Sequence, residues 1–347
     1  MVSIYGINRK QALLERVGDI RQVAGFQRME LLDGKGKGNE IIQVRNGSGL
    51  EFQISVSRAF DIGFCEFYGI PISWMSHTGP VSPYFYEKDG TEWNRSFEGG
   101  LLATCGLTYF GKPSVDKGQQ LGQHGRISSS PAELLQAEDR WIGDNYQLLF
   151  RGKVRESKAL EECVTLERTI STCLGENRLK IVDQITNDTF QTVEHMLMYH
   201  FNFGFPLVSN SCRIQIPNSN KRWIIGEGPT ADSDRYGEPT FDAKPCVILH
   251  EEVESIEGHV KVGIHNEILH NGVKKRLLVE LNYEKAACPY LTQWKHQRKG
   301  VYVLGIEPGN VTTEGRGIHR ERGTLPFLQP GETKEYQLTL DFQLKEC

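Results

Sequence analysis

The run LMYHFNFGFP, residues 197–206, sets one histidine and one asparagine among apolar and aromatic side chains. Strand alternation sends Tyr199, Phe201, Phe203 and Phe205 to one face and His200, Asn202 and Gly204 to the other. An imidazole beside a carboxamide, with a glycine leaving the same face open, suits proton transfer next to a small ligand. The competing reading is a structural histidine. A second candidate is Glu307, which ends the apolar run VYVLGIE just before Pro-Gly-Asn. A carboxylate that ends a strand at a pocket can serve as a general base, although taken alone Glu307 reads as a rim residue. One strand earlier, Gln293, Trp294 and Lys295 offer an aromatic platform and hydrogen-bond donors. That mixture suits a sugar, whose ring face stacks while its hydroxyls need polar partners. In LGQHGRISSSPA, His124 and Arg126 flank Gly125, which permits close backbone approach by a ligand. Arg58 and Asp61, in SRAFDIG, follow an alternating strand, where a surface ion pair is the plain alternative.

These residues sit on a β-rich framework. EFQISVS (51–57) and KEYQLTLDFQL (334–344) alternate apolar and polar residues with the period of a half-buried strand. CVTLERTI, RLKIVDQITN and RLLVELNY add strands of the same kind, separated by turn sequences such as QPGE, EPGN and LGENR. Strand–helix alternation is missing, so the pattern predicts an all-β fold, a large antiparallel β-sandwich. No linker divides the chain, and one domain over 1–347 is expected. A short amphipathic helix at about 7–17 precedes it, with Leu13, Leu14 and Val17 inward. LLDGKGKGNE (31–40) lacks the Lys-Ser/Thr ending of a phosphate loop and reads as a surface loop. The polar stretch 226–242 either walls a site or is a plain excursion.

Composition narrows the partners. The net charge of −4, without a basic block, argues against nucleic acid. No apolar run reaches the roughly 20 residues that span a bilayer, and the charged N-terminal sequence is unlike a signal peptide. The eight cysteines form no CxxC pair, so free thiols in a reducing cytoplasm are expected.

Taken together, QHGRISSSPA, YHFNFGFP and GIEPGN, in that order, resemble the galactose mutarotase-like superfamily. SRAFDIG and EGGLLATCGLTYFG (98–111) resemble its aldose 1-epimerase-like DUF4432 branch, some relatives of which are described as deoxyribose mutarotase-like. The resemblance implies a twisted β-sandwich that binds a monosaccharide, an aldose or deoxyaldose, on a concave face and interconverts its anomers without metal or cofactor. It also implies roles: His200 as general acid, Glu307 as catalytic glutamate, and His124 as the histidine near the ring oxygen. Arg58 is the candidate for a sugar-holding arginine. The family's His-x-Tyr-Phe-Asn segment is shortened here to His-Phe-Asn. An aspartate that reads ring hydroxyls has only loose counterparts in Asp232, Asp234 and Asp242. Two other readings remain: a metal-dependent sugar isomerase on His124, His200 and Glu307, and a carbohydrate-binding protein without chemistry.

Overall fold

Alternating strands with one apolar face can bury that face only against another sheet, and this sequence builds two. The computed structural model describes residues 4–226 and 233–347. In the larger sheet the strands run in the order Gly25–Glu30, Glu40–Arg45, Leu50–Ser55, Asp61–Phe67, Leu102–Leu107, Met196–Phe203, Val301–Gly309, Tyr290–Arg298, Cys246–Glu251 and Asn220–Ile225. The facing sheet runs Glu133–Ile142, Asn145–Ser157, Cys163–Cys173, Arg178–Asn187, Thr333–Glu346, Val273–Glu284, His259–His270 and Arg213–Gln215. Neighbouring strands in both sheets are antiparallel. The architecture is the expected antiparallel β-sandwich.

The main core lies between the sheets. Phe52 and Ile54 from EFQISVS meet Tyr336, Leu338, Leu340 and Phe342 from KEYQLTLDFQL there, all buried. Tyr199, Phe201 and Phe203 point into the same core. Phe205 does not: the strand stops at Phe203, and Phe205 lies on the surface. A polar network crosses this core. Arg168 is fully buried and donates two hydrogen bonds to Asp183, at 2.9 and 2.7 Å. It donates a third to Asp61, at 2.5 Å, and a fourth to the Thr104 hydroxyl. Tyr199 donates its hydroxyl proton to Asp183 at 2.8 Å. The network therefore ties Asp61–Phe67, Leu102–Leu107 and Met196–Phe203 of one sheet to two strands of the other.

At the N-terminus the helix is shorter than expected, Lys10–Leu14, and Leu14 is exposed while Leu13 is buried. No side chain caps its start and no acidic residue lies in its first turn, so little holds further turns together. Residues 31–39 form a loop with one turn of 3-10 helix, and Glu40 begins the next strand. All eight cysteines are free, four of them buried. No helix among the described residues is long and apolar enough to cross a membrane.

Candidate active site

Register brings the principal candidates together. The strands Met196–Phe203 and Val301–Gly309 pair with Phe201 opposite Ile306 and Met198 opposite Gly309, which puts His200 beside Glu307 on the face away from the main core. Asn310 holds that register beyond the ladder: its Oδ1 accepts from the Leu197 N–H, and its Nδ2 donates to the His195 carbonyl. Glu307 is thus inside its strand, which continues through Pro308 and Gly309, rather than at its end. His200 Nε2 approaches Glu307 Oε1 to 3.3 Å. The two side chains meet as a cross-strand pair.

The bare position that makes room for them is not Gly204, where a Cβ would meet the Trp74 backbone at 3.0 Å. It is Gly305, the cross-strand neighbour of both Asn202 and Trp294. A Cβ at Gly305 would come within 2.5 Å of Glu307 Oε1 and 3.1 Å of the Trp294 Cβ. Any larger residue would push the carboxylate off His200.

Aromatic side chains surround the pair. The Trp294 ring lies 5.5 Å from His200, and Trp74 stands edge-on to Trp294 at 6.1 Å. Phe97 is 5.4 Å from His200 and stacks on Trp93 at 4.4 Å. Trp93 packs on His124, whose ring stands perpendicular to His200 at 5.8 Å. His124 holds a left-handed backbone, φ 57°, with its N–H on the Gly111 carbonyl. Trp74, Trp93 and Phe97 were not anticipated. The sequence signal for the last two is the aromatic-rich loop EWNRSFEGG, where bulky apolar residues lie outside any alternating strand.

The electrostatics follow from burial. His200 and Glu307 are only 5% and 4% exposed. Burial disfavours both charged forms, raising the Glu307 carboxyl to about 8 and lowering the His200 imidazole to about 4. Burial, with His200 as neighbour, lowers His124 to about 3. Four buried polar atoms here make no hydrogen bond of good geometry: His200 Nδ1, His124 Nδ1, Asn202 Oδ1 and Glu307 Oε1, the last facing His200 Nε2 at 3.3 Å without completing a bond to it. The Asn202 amide nitrogen is used, donating to the carbonyls of Gly100 and His200.

The remaining predicted positions divide. Arg58 is buried along the sheet from His200; it donates to the Val81 carbonyl at 2.9 Å and to Ser129 Oγ at 3.4 Å. It is not paired with Asp61. Asp61 turns into the Arg168 network, where Thr104 and Arg168 occupy its carboxylate, so its oxygens are committed to the fold. Gln293 and Lys295 alternate with Trp294 and point to the other face: Gln293 bonds His250 and the Ser233 carbonyl, and Lys295 bonds the Arg235 carbonyl. Arg126 is exposed beside His124. Asp234 binds Lys221 and Ser233, Asp242 is on the surface, and Asp232 lies outside the described residues. Among the described residues no three His, Cys, Asp or Glu side chains converge to hold a metal.

Comparison with known proteins agrees with this architecture. The family model described as "Domain of unknown function (DUF4432)" matches residues 36–342. A candidate aldose 1-epimerase from Klebsiella pneumoniae superposes with a TM-score of 0.82 at 23% identity, over 95% of this chain and 86% of that one. A galactose mutarotase-like protein from Clostridium acetobutylicum gives a TM-score of 0.60 at 14% identity, over 94% and 100%. A galactose 1-epimerase from Lactobacillus acidophilus gives 0.56 at 12%, over 93% and 100%. No curated protein sequence matches significantly. The chain belongs to the DUF4432 family and has the galactose mutarotase-like fold.

Proposed function

We propose that this member of the DUF4432 family interconverts the anomers of a monosaccharide, an aldose or deoxyaldose, by acid–base opening and closure of the sugar ring. The observation that carries the reading is the group of four orphaned polar atoms on His200, His124, Asn202 and Glu307. Each buried polar group left unmade costs on the order of 1–3 kcal/mol, so a fold retains such a cluster where a ligand completes it.

The chemistry needs one group to take the anomeric hydroxyl proton and another to protonate the ring oxygen. In this reading Glu307 is the base and His200 the acid; the aldehyde then rotates, and closure reverses both transfers. Each can contribute roughly 10²- to 10⁴-fold. Between pH values of about 4 and about 8 the pair holds one proton. Carboxylic acid with imidazole and carboxylate with imidazolium are two placements of that same proton, so the reaction starts from the pair's resting charge. His124 steadies the ring oxygen, Trp294 stacks on an apolar ring face, and Arg58 orients the sugar. The closed aromatic wall requires Trp93 and Phe97 to yield as the sugar enters. No metal or cofactor has a part in these steps.

The test is anomer exchange measured by NMR. The rate in wild type should rise with an apparent pKa near 4 and fall with one near 8, the pair titrating as a unit. Glu307→Gln and His200→Asn should each slow exchange by at least roughly 10²-fold while sugar still binds. Near-normal exchange in folded Glu307→Gln protein ends this reading. Sugar binding without any acceleration by wild type would favour a carbohydrate-binding protein instead.

A further inference from the structure

Next to His200, along the same face of the sheet, lies a small cavity whose lining includes Arg58, Glu98, Phe97, Ala103 and Ser128. Two of these residues tie it to the site. Ala103 is the cross-strand partner of His200, and the Phe97 ring packs against the His200 ring. A second cavity shares Arg58 and Glu98 and continues past Met75 and Pro80. The side chains of Arg58 and Glu98 are mostly buried, at 5% and 14% exposure. One oxygen of Glu98 is committed: Oε2 accepts from the Val81 N–H at 3.2 Å. The other, Oε1, stands 3.9 Å from Arg58 Nε, beyond hydrogen-bond length.

Arg58 Nε and Glu98 Oε1, 3.9 Å apart and both on the wall of the two cavities, form a donor–acceptor gap. An oxygen about 2.8 Å from both fits it, with an angle of about 90° between the two bonds. That oxygen must accept from Arg58 Nε–H and donate to Glu98 Oε1, which water does in the free protein and a sugar hydroxyl can do in its place. A phosphate or carboxylate oxygen could accept from Arg58 but would face Glu98, with Asp61 behind it, as like charges. We infer that Glu98, held by Val81 and Arg58, is a specificity-determining residue that reads one hydroxyl of an unphosphorylated sugar at this position. The inference rests on the sugar-binding reading of the His200–Glu307 site. It supplies a hydroxyl-reading carboxylate where Asp234 and Asp242 are engaged elsewhere or on the surface.

The experiment measures binding, independently of exchange, by ligand-observed NMR titration of aldopentoses and aldohexoses. For the tightest binder, each monodeoxy analogue is then titrated against wild type and Glu98→Gln. Gln keeps the Val81 N–H bond through its amide oxygen but turns an N–H towards Arg58 in place of the acceptor. One deoxy position should cost wild type about 10-fold in affinity, and loss of that same hydroxyl should cost the Glu98→Gln variant nothing. Arg58→Lys, which keeps the charge and removes the Nε–H, should reproduce the pattern at the same position and serves if Glu98→Gln fails to fold. Equal weakening of the parent sugar and all its analogues, or no weakening, overturns the assignment even if wild type accelerates exchange. A wild-type protein that neither binds nor turns over any sugar of the panel overturns the functional reading and this inference together.

Discussion

Tyr199 and His200 are adjacent on one strand, and each joins a buried polar cluster on its own side of the sheet. On the Tyr199 side, Arg168, Asp61, Asp183 and Thr104 bond one another, and none of their side-chain polar atoms lacks a partner. On the His200 side His200, Asn202 and Glu307 are as deeply buried and His124 is half-buried, yet each of the four keeps an unpartnered atom. Burial therefore does not separate structure from function in this molecule; completion does. Where the chain satisfies its own polar atoms, the cluster holds the sheets together. Where it leaves them unmet, it is prepared for a group that the chain does not contain.

The largest effect should come from breaking the completed cluster. Arg168→Met strands two buried carboxylates, Asp61 and Asp183, without their cation. Removal of one partner of a buried ion pair typically costs about 3–5 kcal/mol. Urea unfolding should report a loss of that size, while folded protein at low temperature keeps anomer exchange close to wild type. A variant as stable as wild type would show that the network is not what joins the sheets.

Breaking the incomplete cluster should do the opposite. The Glu307 carboxyl has its ordinary value of 4.5 in the unfolded chain and about 8 in the fold. A raised carboxyl contributes stability that is full below 4.5 and disappears as pH rises through 8, because the fold resists losing that proton. Glu307→Gln has no proton to lose. Its melting temperature relative to wild type should climb between pH 5 and pH 8.5, by at most the equivalent of roughly 4–5 kcal/mol at about 1.4 kcal/mol per pKa unit. A difference that is flat across that range would mean that the carboxyl is solvated and the pocket open. His200 works in the reverse sense: its lowered imidazole gives stability present above 6.5 and lost as pH falls through about 4.

This contrast was partly visible in the residues alone. Alternation in LMYHFNF was enough to put His200 and Asn202 on one face, and EFQISVS and KEYQLTLDFQL were enough for a sandwich. Register was not visible, because pairing between strands about a hundred residues apart is set by the whole sheet. So the proximity of His200 to Glu307, and Gly305 as the residue that makes room, came only with the fold. Gln293 and Lys295 illustrate the same gap: a strand neighbour of Trp294 necessarily points the other way once the run is a strand. Arg168 was invisible for another reason. Within CVTLERTI it reads as the polar half of an alternating strand, and nothing local reveals that Asp183 and Asp61 wait on the buried side. Glu98 sits in a loop, where periodicity carries no information.

The smallest effect should come from the wall rather than from either cluster. Trp294 shares the His200 face, half-buried, with its ring 5.5 Å from His200 and edge-on to Trp74. If that ring is the platform for a sugar, Trp294→Ala removes one stacking face and leaves the acid and base in place. Loss of such a face costs on the order of 1 kcal/mol, a several-fold rise in Kd. Titration followed by intrinsic fluorescence measures it, with Trp74 and Trp93 remaining as reporters near the site. The exchange rate at saturating sugar should change little, since His200 and Glu307 stay paired. Unchanged affinity with an intact melting profile would make Trp294 a packing residue beside Gly305, and a collapse of saturated exchange would mean that its ring holds Glu307 in place.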